Sequence, residues 1–126
     1  VYVDPALADF AVPFGRRSAS RALRPLARGT RLPLPDADTL RFFLWWTNGA
    51  HRTDIDLSVT AFDDAFAPVG LVSYTNLVAP WGVHSGDIVD APKGASEFVD
   101  LNVPQALGMG IRYAVLTLHS FTQQPY

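Results

Sequence analysis

Residues 55–62 read IDLSVTAF, an eight-residue stretch with apolar side chains at every second position. Side chains on a β-strand point alternately to its two faces, so this period of two predicts a strand buried on one face. Asp63 and Asp64 follow at once, and adjacent aspartates favour a turn. The stretch therefore predicts a β-strand that ends in a turn, and the rest of the chain is interpreted outward from it.

Other segments carry the same β signature. A run rich in aromatic residues ends at the turn pair Asn48-Gly49, and Arg31–Leu34 alternates like an edge strand, the only place where Pro33 is tolerated. One short helix is expected at Val103–Met109, with Asn102 as its N-cap. The further strand candidates are Leu40–Trp46, Gly70–Tyr74, Ser96–Leu101 and Arg112–Phe121. With ten prolines, nine glycines and almost no helix, the chain is predicted to be all-β, an antiparallel sandwich or barrel.

Composition narrows the class of protein. The chain has 126 residues, 48% apolar and 17% charged, which fits one folded domain and excludes a disordered chain. The absence of cysteine excludes disulfides, thiolate zinc sites and a cysteine nucleophile. The longest uncharged apolar run, Phe42–Trp46, is far short of the ~20 residues of a membrane span. No export leader opens the chain, so a cytoplasmic protein is expected, and the start at Val1 suggests a fragment of a longer one.

Charge divides the chain into two parts. Residues 1–31 hold six arginines and two aspartates, net +4, whereas residues 32–126 hold four basic and ten acidic residues, net −6. We expect a basic, mostly irregular N-terminal arm over residues 1–27, with a short helix at Ser18–Leu26, and a β-domain over residues 28–126. The arm either contacts phosphates or an acidic partner or is a solvated linker. Because no aromatic residue lies between its arginines, nucleic-acid binding is not expected. Deleting residues 1–27 is expected to leave a folded domain.

The first acidic segment starts the strand quoted above. Asp54, Asp56 and Ser58 are spaced by two, so they project from one face of the strand. Two neighbouring carboxylates repel each other, and a divalent cation such as calcium, which prefers hard oxygen ligands, would offset that charge. A solvent-exposed polar face is the alternative interpretation.

The second acidic segment, His84–Glu97, is expected to hold Asp87, Asp90 and Glu97 in one eleven-residue loop, with glycines that free backbone carbonyls for coordination. It does not follow the EF-hand pattern. His84 and Ser85 are adjacent and point apart on an extended chain, so a Ser–His enzyme is not expected. The three histidines share no zinc-ligand spacing. A carboxylate pair for glycoside hydrolysis stays open, since the sequence does not fix the separation that this chemistry needs.

These segments resemble the tellurium-resistance TerD domain. The similarity begins with Arg28–Leu34, continues through Leu44-Trp45-Trp46 and Asp54–Asp63, and includes Ser73–Asn76 and Val115–Ser120. Its most specific element is His84-Ser85-Gly86-Asp87, which matches an H-S-G-D signature. The resemblance covers residues 28–126 and is closest to a divergent TerD-like module of larger multidomain bacterial proteins, in which Gly86–Pro92 and Gly94–Phe98 recur.

The resemblance implies a β-sandwich of two antiparallel sheets that binds calcium at one end. It also implies a cytoplasmic stress-response role without catalysis. Asp54 and Asp56 match the family's D-x-D, Asp87 the acid of H-S-G-D, and Glu97 the last acid of G-D-G-D-D-E. This chain has Thr47 in place of a family aspartate, and Pro92–Glu97 loses three acids. One calcium site is therefore expected rather than two.

Combining the two acidic segments gives a specific ligand set. A sandwich clusters its loops at two ends, so both segments can meet at one of them. We expect one calcium ion bound by Asp54, Asp56 and Asp87, with Asp90 and Glu97 completing the shell. The carbonyls of Ala91 and Gly94 are expected as further ligands, because calcium takes about six to eight oxygens.

Three functions compete at this stage. The first is a non-catalytic, calcium-binding interaction module that acts with other domains of the parent chain or with a protein partner, in an oligomeric state left open. The second is a metal-free β-sandwich that serves a structural or docking role. The third is a small hydrolase or carbohydrate-binding domain that uses the acidic loops and a tryptophan, with Trp81 as the one to test for sugar stacking.

Overall fold

A computed structural model of the chain describes residues 29–34 and 36–123. The arm over residues 1–27, including the helix expected at Ser18–Leu26, lies outside the described residues. The chain divides into two compact units, Val1–Asp36 and Ala37–Tyr126. The described residues of the second unit form seven strands and one helix: β1 Thr39–Trp46, β2 Ile55–Phe62, β3 Pro68–Ser73, β4 Val78–Ala79, β5 Gly82–His84, β6 Ala95–Asn102, α1 Val103–Gly108 and β7 Tyr113–Ser120.

The all-β prediction is confirmed, with two antiparallel sheets. One sheet has the order β1-β6-β5-β4 and the other the order β3-β2-β7. The strand quoted first, β2, has neighbours on both sides and packs against β6 of the other sheet.

The core lies between β2 and β6 and follows the alternation seen in the sequence. Leu57, Val59 and Ala61 are fully buried on one face of β2, and Val99 of β6 is fully buried opposite them. Trp81, 1% exposed, fills the same core. Burying each large apolar side chain contributes about 1.5–3 kcal/mol, so this layer holds the sheets together.

Helix α1 begins directly after Asn102, the residue predicted to cap it. The Oδ1 of Asn102 accepts a hydrogen bond from the Gln105 amide at 2.9 Å, and a proline occupies the first turn. This helix has six residues, and the described part of the chain contains no helix long and apolar enough to cross a membrane.

Three local expectations are wrong. Arg31–Leu34 forms no strand, since Pro33 lacks an amide donor and Leu32 and Leu34 are 63% and 71% exposed. Asp87–Glu97 is not one loop, because β6 begins at Ala95 and contains Glu97, which leaves residues 85–94 as the loop after β5. Trp81 is no sugar platform, because it is buried in the core.

Candidate metal site at one end of the sandwich

Three aspartates meet at the end of the sandwich where β2 begins. Asp54 immediately precedes β2, Asp56 is the second residue of that strand, and Asp87 lies in the loop that follows β5. One carboxylate oxygen from each lies within 4.8 Å of the others. We call these three residues the aspartate cluster.

Local hydrogen bonds hold the cluster in place. The indole Nε1 of Trp46 donates to the carbonyl of Thr53 at 2.9 Å, which fixes the chain just before Asp54. The Asp54 amide donates to Thr122 Oγ1, and the Phe121 amide donates to the Asp54 carbonyl, which ties the start of β2 to the chain after β7. Two aspartates of the cluster therefore stand on a fixed backbone.

Two of these aspartates are buried without sufficient partners. Asp54 is 4% exposed and Asp56 is 5% exposed, whereas Asp87 is exposed. Within the described residues, Asp54 Oδ1 and Asp56 Oδ2 have no hydrogen-bond partner. The other oxygen of Asp54 accepts a long hydrogen bond, 3.3 Å, from the guanidinium of Arg52. A buried polar atom without a partner is costly, so these two oxygens are candidate ligands for a cation.

The electrostatics agree with this interpretation. The pKa of Asp54 is raised, mainly because the carboxyl is buried. The positive charge of Arg52 opposes this shift, and the negative charge of Asp87 adds to it. Burial also raises the pKa of Asp56, and the charges of Asp54 and Asp87 raise it further. Burial and like charges both disfavour the ionised form, and a bound cation would reverse both effects.

The cluster lines a cleft of about 360 Å³. Its lining carries three acids and one base, a formal charge of −2. The residues that line it are Arg52, Asp54, Asp56, Tyr74, Asp87, Val89 and Phe121. The sequence analysis missed Tyr74, Val89 and Phe121 as residues of this cleft. They follow three different strands, β3, β5 and β7, and share no sequence motif.

Glu97, also expected as a ligand, has a different environment. It is fully buried between the sheets, and its two carboxylate oxygens accept hydrogen bonds from the amides of Leu57 at 3.2 Å and Ile88 at 2.9 Å. Burial raises its pKa, and the two amides lower it. Each oxygen of Glu97 thus already has a protein partner.

His84 complements Glu97. Its Nδ1 accepts from the Gly86 amide at 3.0 Å, so Nε2 carries the proton and donates to the Leu57 carbonyl at 3.0 Å. Nε2 lies 3.7 Å from the Glu97 carboxylate. The pairing of β2 with β3 stops at Ser58, so Glu97 and His84 bind the amide and carbonyl of Leu57 beyond the end of that pairing, while β7 continues alongside β2. The histidine of the H-S-G-D motif therefore joins β5 to β2.

The other expected ligands form a junction beside the cluster. Asp90 Oδ1 accepts a hydrogen bond from the side-chain Nδ2 of Asn48 at 2.8 Å, and the Ala91 carbonyl accepts one from the backbone amide of Asn48 at 2.9 Å. Gly94 has a φ of +92°, and a Cβ there would lie 2.9 Å from the ring of Trp45. Asn48, interpreted in the sequence only as a turn residue, links the chain after β1 to the loop after β5.

The structure thus brings together Asp54, Asp56 and Asp87 of the seven expected ligands. Asp90, Ala91 and Glu97 have other hydrogen-bond partners, and the carbonyl of Gly94 stays a prediction. Comparison of the chain with protein-family models, curated proteins and solved structures gives no significant match. The resemblance to TerD domains stays a prediction.

Proposed function

We propose that this domain is a non-catalytic β-sandwich interaction module that binds one calcium ion in the aspartate cluster. The observation that carries the proposal is the pair of buried oxygens, Asp54 Oδ1 and Asp56 Oδ2, that lack hydrogen-bond partners within the described residues. A divalent cation between them and Asp87 would satisfy both oxygens and offset the charge of the cleft.

The chemistry of the donors favours calcium among divalent ions. The cluster offers carboxylate oxygens alone, without a sulfur or imidazole ligand, and hard oxygens suit calcium. Calcium takes about six to eight oxygens in flexible geometry, and the open cleft leaves room for waters or a further ligand to complete its shell.

The resemblance to TerD domains also supports calcium as the ion. It matches Asp54, Asp56 and Asp87 to acidic positions of the family, and these are the three residues that form the cluster. We therefore propose a TerD-like module of a larger bacterial stress-response protein, which acts through other domains of that protein or a protein partner.

A catalytic role gains no support from the serine and histidine of the motif. Both ring nitrogens of His84 already bind the backbone, and Ser85 Oγ accepts from the Phe98 amide at 2.9 Å. A nucleophile needs a base free to take its proton, and His84 has no free nitrogen for Ser85.

A metal-free docking role is the second candidate. Phe43 and Trp45 are 58% and 60% exposed, and both project from the outer face of the edge strand β1. Neighbouring exposed aromatic side chains are typical of a protein-binding surface. This role requires no ion.

Calorimetric titration with calcium separates the two candidates. We expect wild type to bind one calcium ion, and Asp87→Asn to weaken binding by at least about tenfold, the loss typical of disturbing a metal shell. Asp64→Asn is the matched control, because Asp64 is exposed in the turn after β2, at the opposite end of that strand. Asp63 is unsuitable, since its carboxylate accepts from the Ala65 and Ala67 amides. Absence of calcium binding by the folded wild type would contradict the proposal and favour the docking role.

A further inference from the structure

Three exposed apolar side chains line the same cleft as the aspartate cluster. Tyr74, Val89 and Phe121 are 41%, 46% and 63% exposed, and all three line the cleft with the aspartate cluster. Tyr74 follows β3, Val89 lies in the loop after β5, and Phe121 follows β7. We call these three residues the apolar rim. Single exposed apolar residues are ordinary, but three that converge on one charged cleft indicate a binding surface.

The charge of the cleft depends on the ion. Without it, three aspartates and Arg52 give a formal charge of −2, which repels anions. One divalent cation brings the formal charge of the cleft to zero. Three carboxylates, one of them already bonded to Arg52, do not fill the coordination shell of calcium, so an anionic oxygen can also bind the ion. Arg52 has a half-exposed side chain and offers further donors to a phosphate or carboxylate.

We infer that the calcium-loaded cleft docks on an anionic phospholipid surface, with a headgroup oxygen bound beside Arg52 and the apolar rim entering the membrane interface. The inference rests on the proposed calcium site. A bilayer surface combines anionic headgroups with apolar chains just beneath them, and the domain presents a charged centre and an apolar rim at one end. A free anion would occupy the centre and make no use of the rim.

Vesicle co-sedimentation of the full chain tests this inference. We expect binding to phosphatidylcholine vesicles that contain phosphatidylserine, in calcium, and none to pure phosphatidylcholine or in the presence of a chelator. Phe121→Ser should weaken binding by about tenfold, because it removes the apolar surface that Phe121 would bury in the membrane interface. Phe66→Ser is the matched control, since Phe66 is 62% exposed in the turn between β2 and β3, at the opposite end of β2. It should bind vesicles as wild type does.

Calorimetry with calcium alone, run on the same samples, separates the two ideas. Phe121→Ser should keep its calcium affinity. Calcium binding without vesicle binding overturns the lipid inference, leaves the proposed function standing, and assigns the rim to a protein partner. Vesicle binding that persists in chelator, or that Phe121→Ser and Phe66→Ser weaken equally, also overturns the inference. Equal binding of soluble glycerophosphoserine by wild type and Phe121→Ser, without vesicle binding, would identify a small-anion site instead. If the folded wild type does not bind calcium, both the proposed function and the lipid inference are wrong.

Discussion

Two groups of buried acids lie at the same end of this sandwich, and their environments differ. Glu97 is fully buried, yet both of its oxygens accept backbone amides, and His84 stands beside it. Asp54 and Asp56 are nearly as buried, yet each has an oxygen without a partner within the described residues. Burial raises the pKa of all three carboxyls, so the shift alone does not separate them.

The difference lies in the hydrogen-bond partners. The free energy of burying a carboxylate is offset when amides bind its oxygens, and such a group stabilises the fold. A buried carboxylate without partners stays costly until a ligand arrives. We therefore interpret Glu97 as a structural residue that joins the sheets and the aspartate cluster as a site for a cation. The following predictions test that distinction, from the largest expected effect to the smallest.

Removing Glu97 should give the largest loss of stability. Glu97→Ala leaves the buried amide of Leu57 and the partly buried amide of Ile88 without acceptors, which should lower the free energy of unfolding by about 3 kcal/mol. Asp56→Ala in chelator should cost far less, because it also removes like-charge repulsion in the cluster. Urea denaturation of both variants measures the difference. Equal losses of unfolding free energy in the two variants would contradict the distinction. If Glu97→Ala does not fold, Glu97→Gln, which keeps one acceptor oxygen, takes its place.

Calcium should stabilise through the cluster and independently of Glu97. At a calcium concentration about a hundredfold above Kd, the free energy of unfolding of wild type should rise by about 2.7 kcal/mol. Asp87→Asn should lose this gain, and Glu97→Gln should keep it, as measured by thermal unfolding with calcium and with chelator. If folded Glu97→Gln no longer responds to calcium, Glu97 belongs to the metal shell after all.

The pH dependence of stability should change sign with the ion. The pKa values of Asp54 and Asp56 are raised in the folded protein, so the folded state binds more protons than the unfolded state. In chelator, the free energy of unfolding should therefore fall as pH rises from about 4, the ordinary carboxyl pKa, through the raised values. Asp56→Asn should flatten this slope, with all other groups unchanged. In calcium, protons compete with the ion, so stability should rise with pH over the same window. An unchanged slope in Asp56→Asn would rule out the cluster as its source.

Asp90 should give the smallest effect. Its carboxylate binds the side chain of Asn48 at the surface, so Asp90→Asn should lower the free energy of unfolding by under about 1 kcal/mol. Calcium affinity should stay at the wild-type value in a calorimetric titration. A loss as large as that of Asp87→Asn would place Asp90 in the shell and enlarge the cluster.

The sequence predicted much of the fold because its signals are local. Alternation defined β2, the cap at Asn102 defined α1, and the aspartate pair defined the turn after β2. The short strands β4 and β5 were missed, since two or three residues carry too little pattern. Arg31–Leu34 shows the opposite error, because its residues alternate but stay exposed and form no strand.

The sequence by itself determined that Asp54 and Asp56 share a face, because spacing on one strand is a local property. Only the tertiary structure decided that Asp87 joins them and that Glu97 does not. Glu97 meets the amide of Leu57 across forty positions of the chain, from the opposite sheet. Whether a buried acid serves the fold or a ligand depends on which distant amides reach its oxygens, and spacing along the chain carries no information about them.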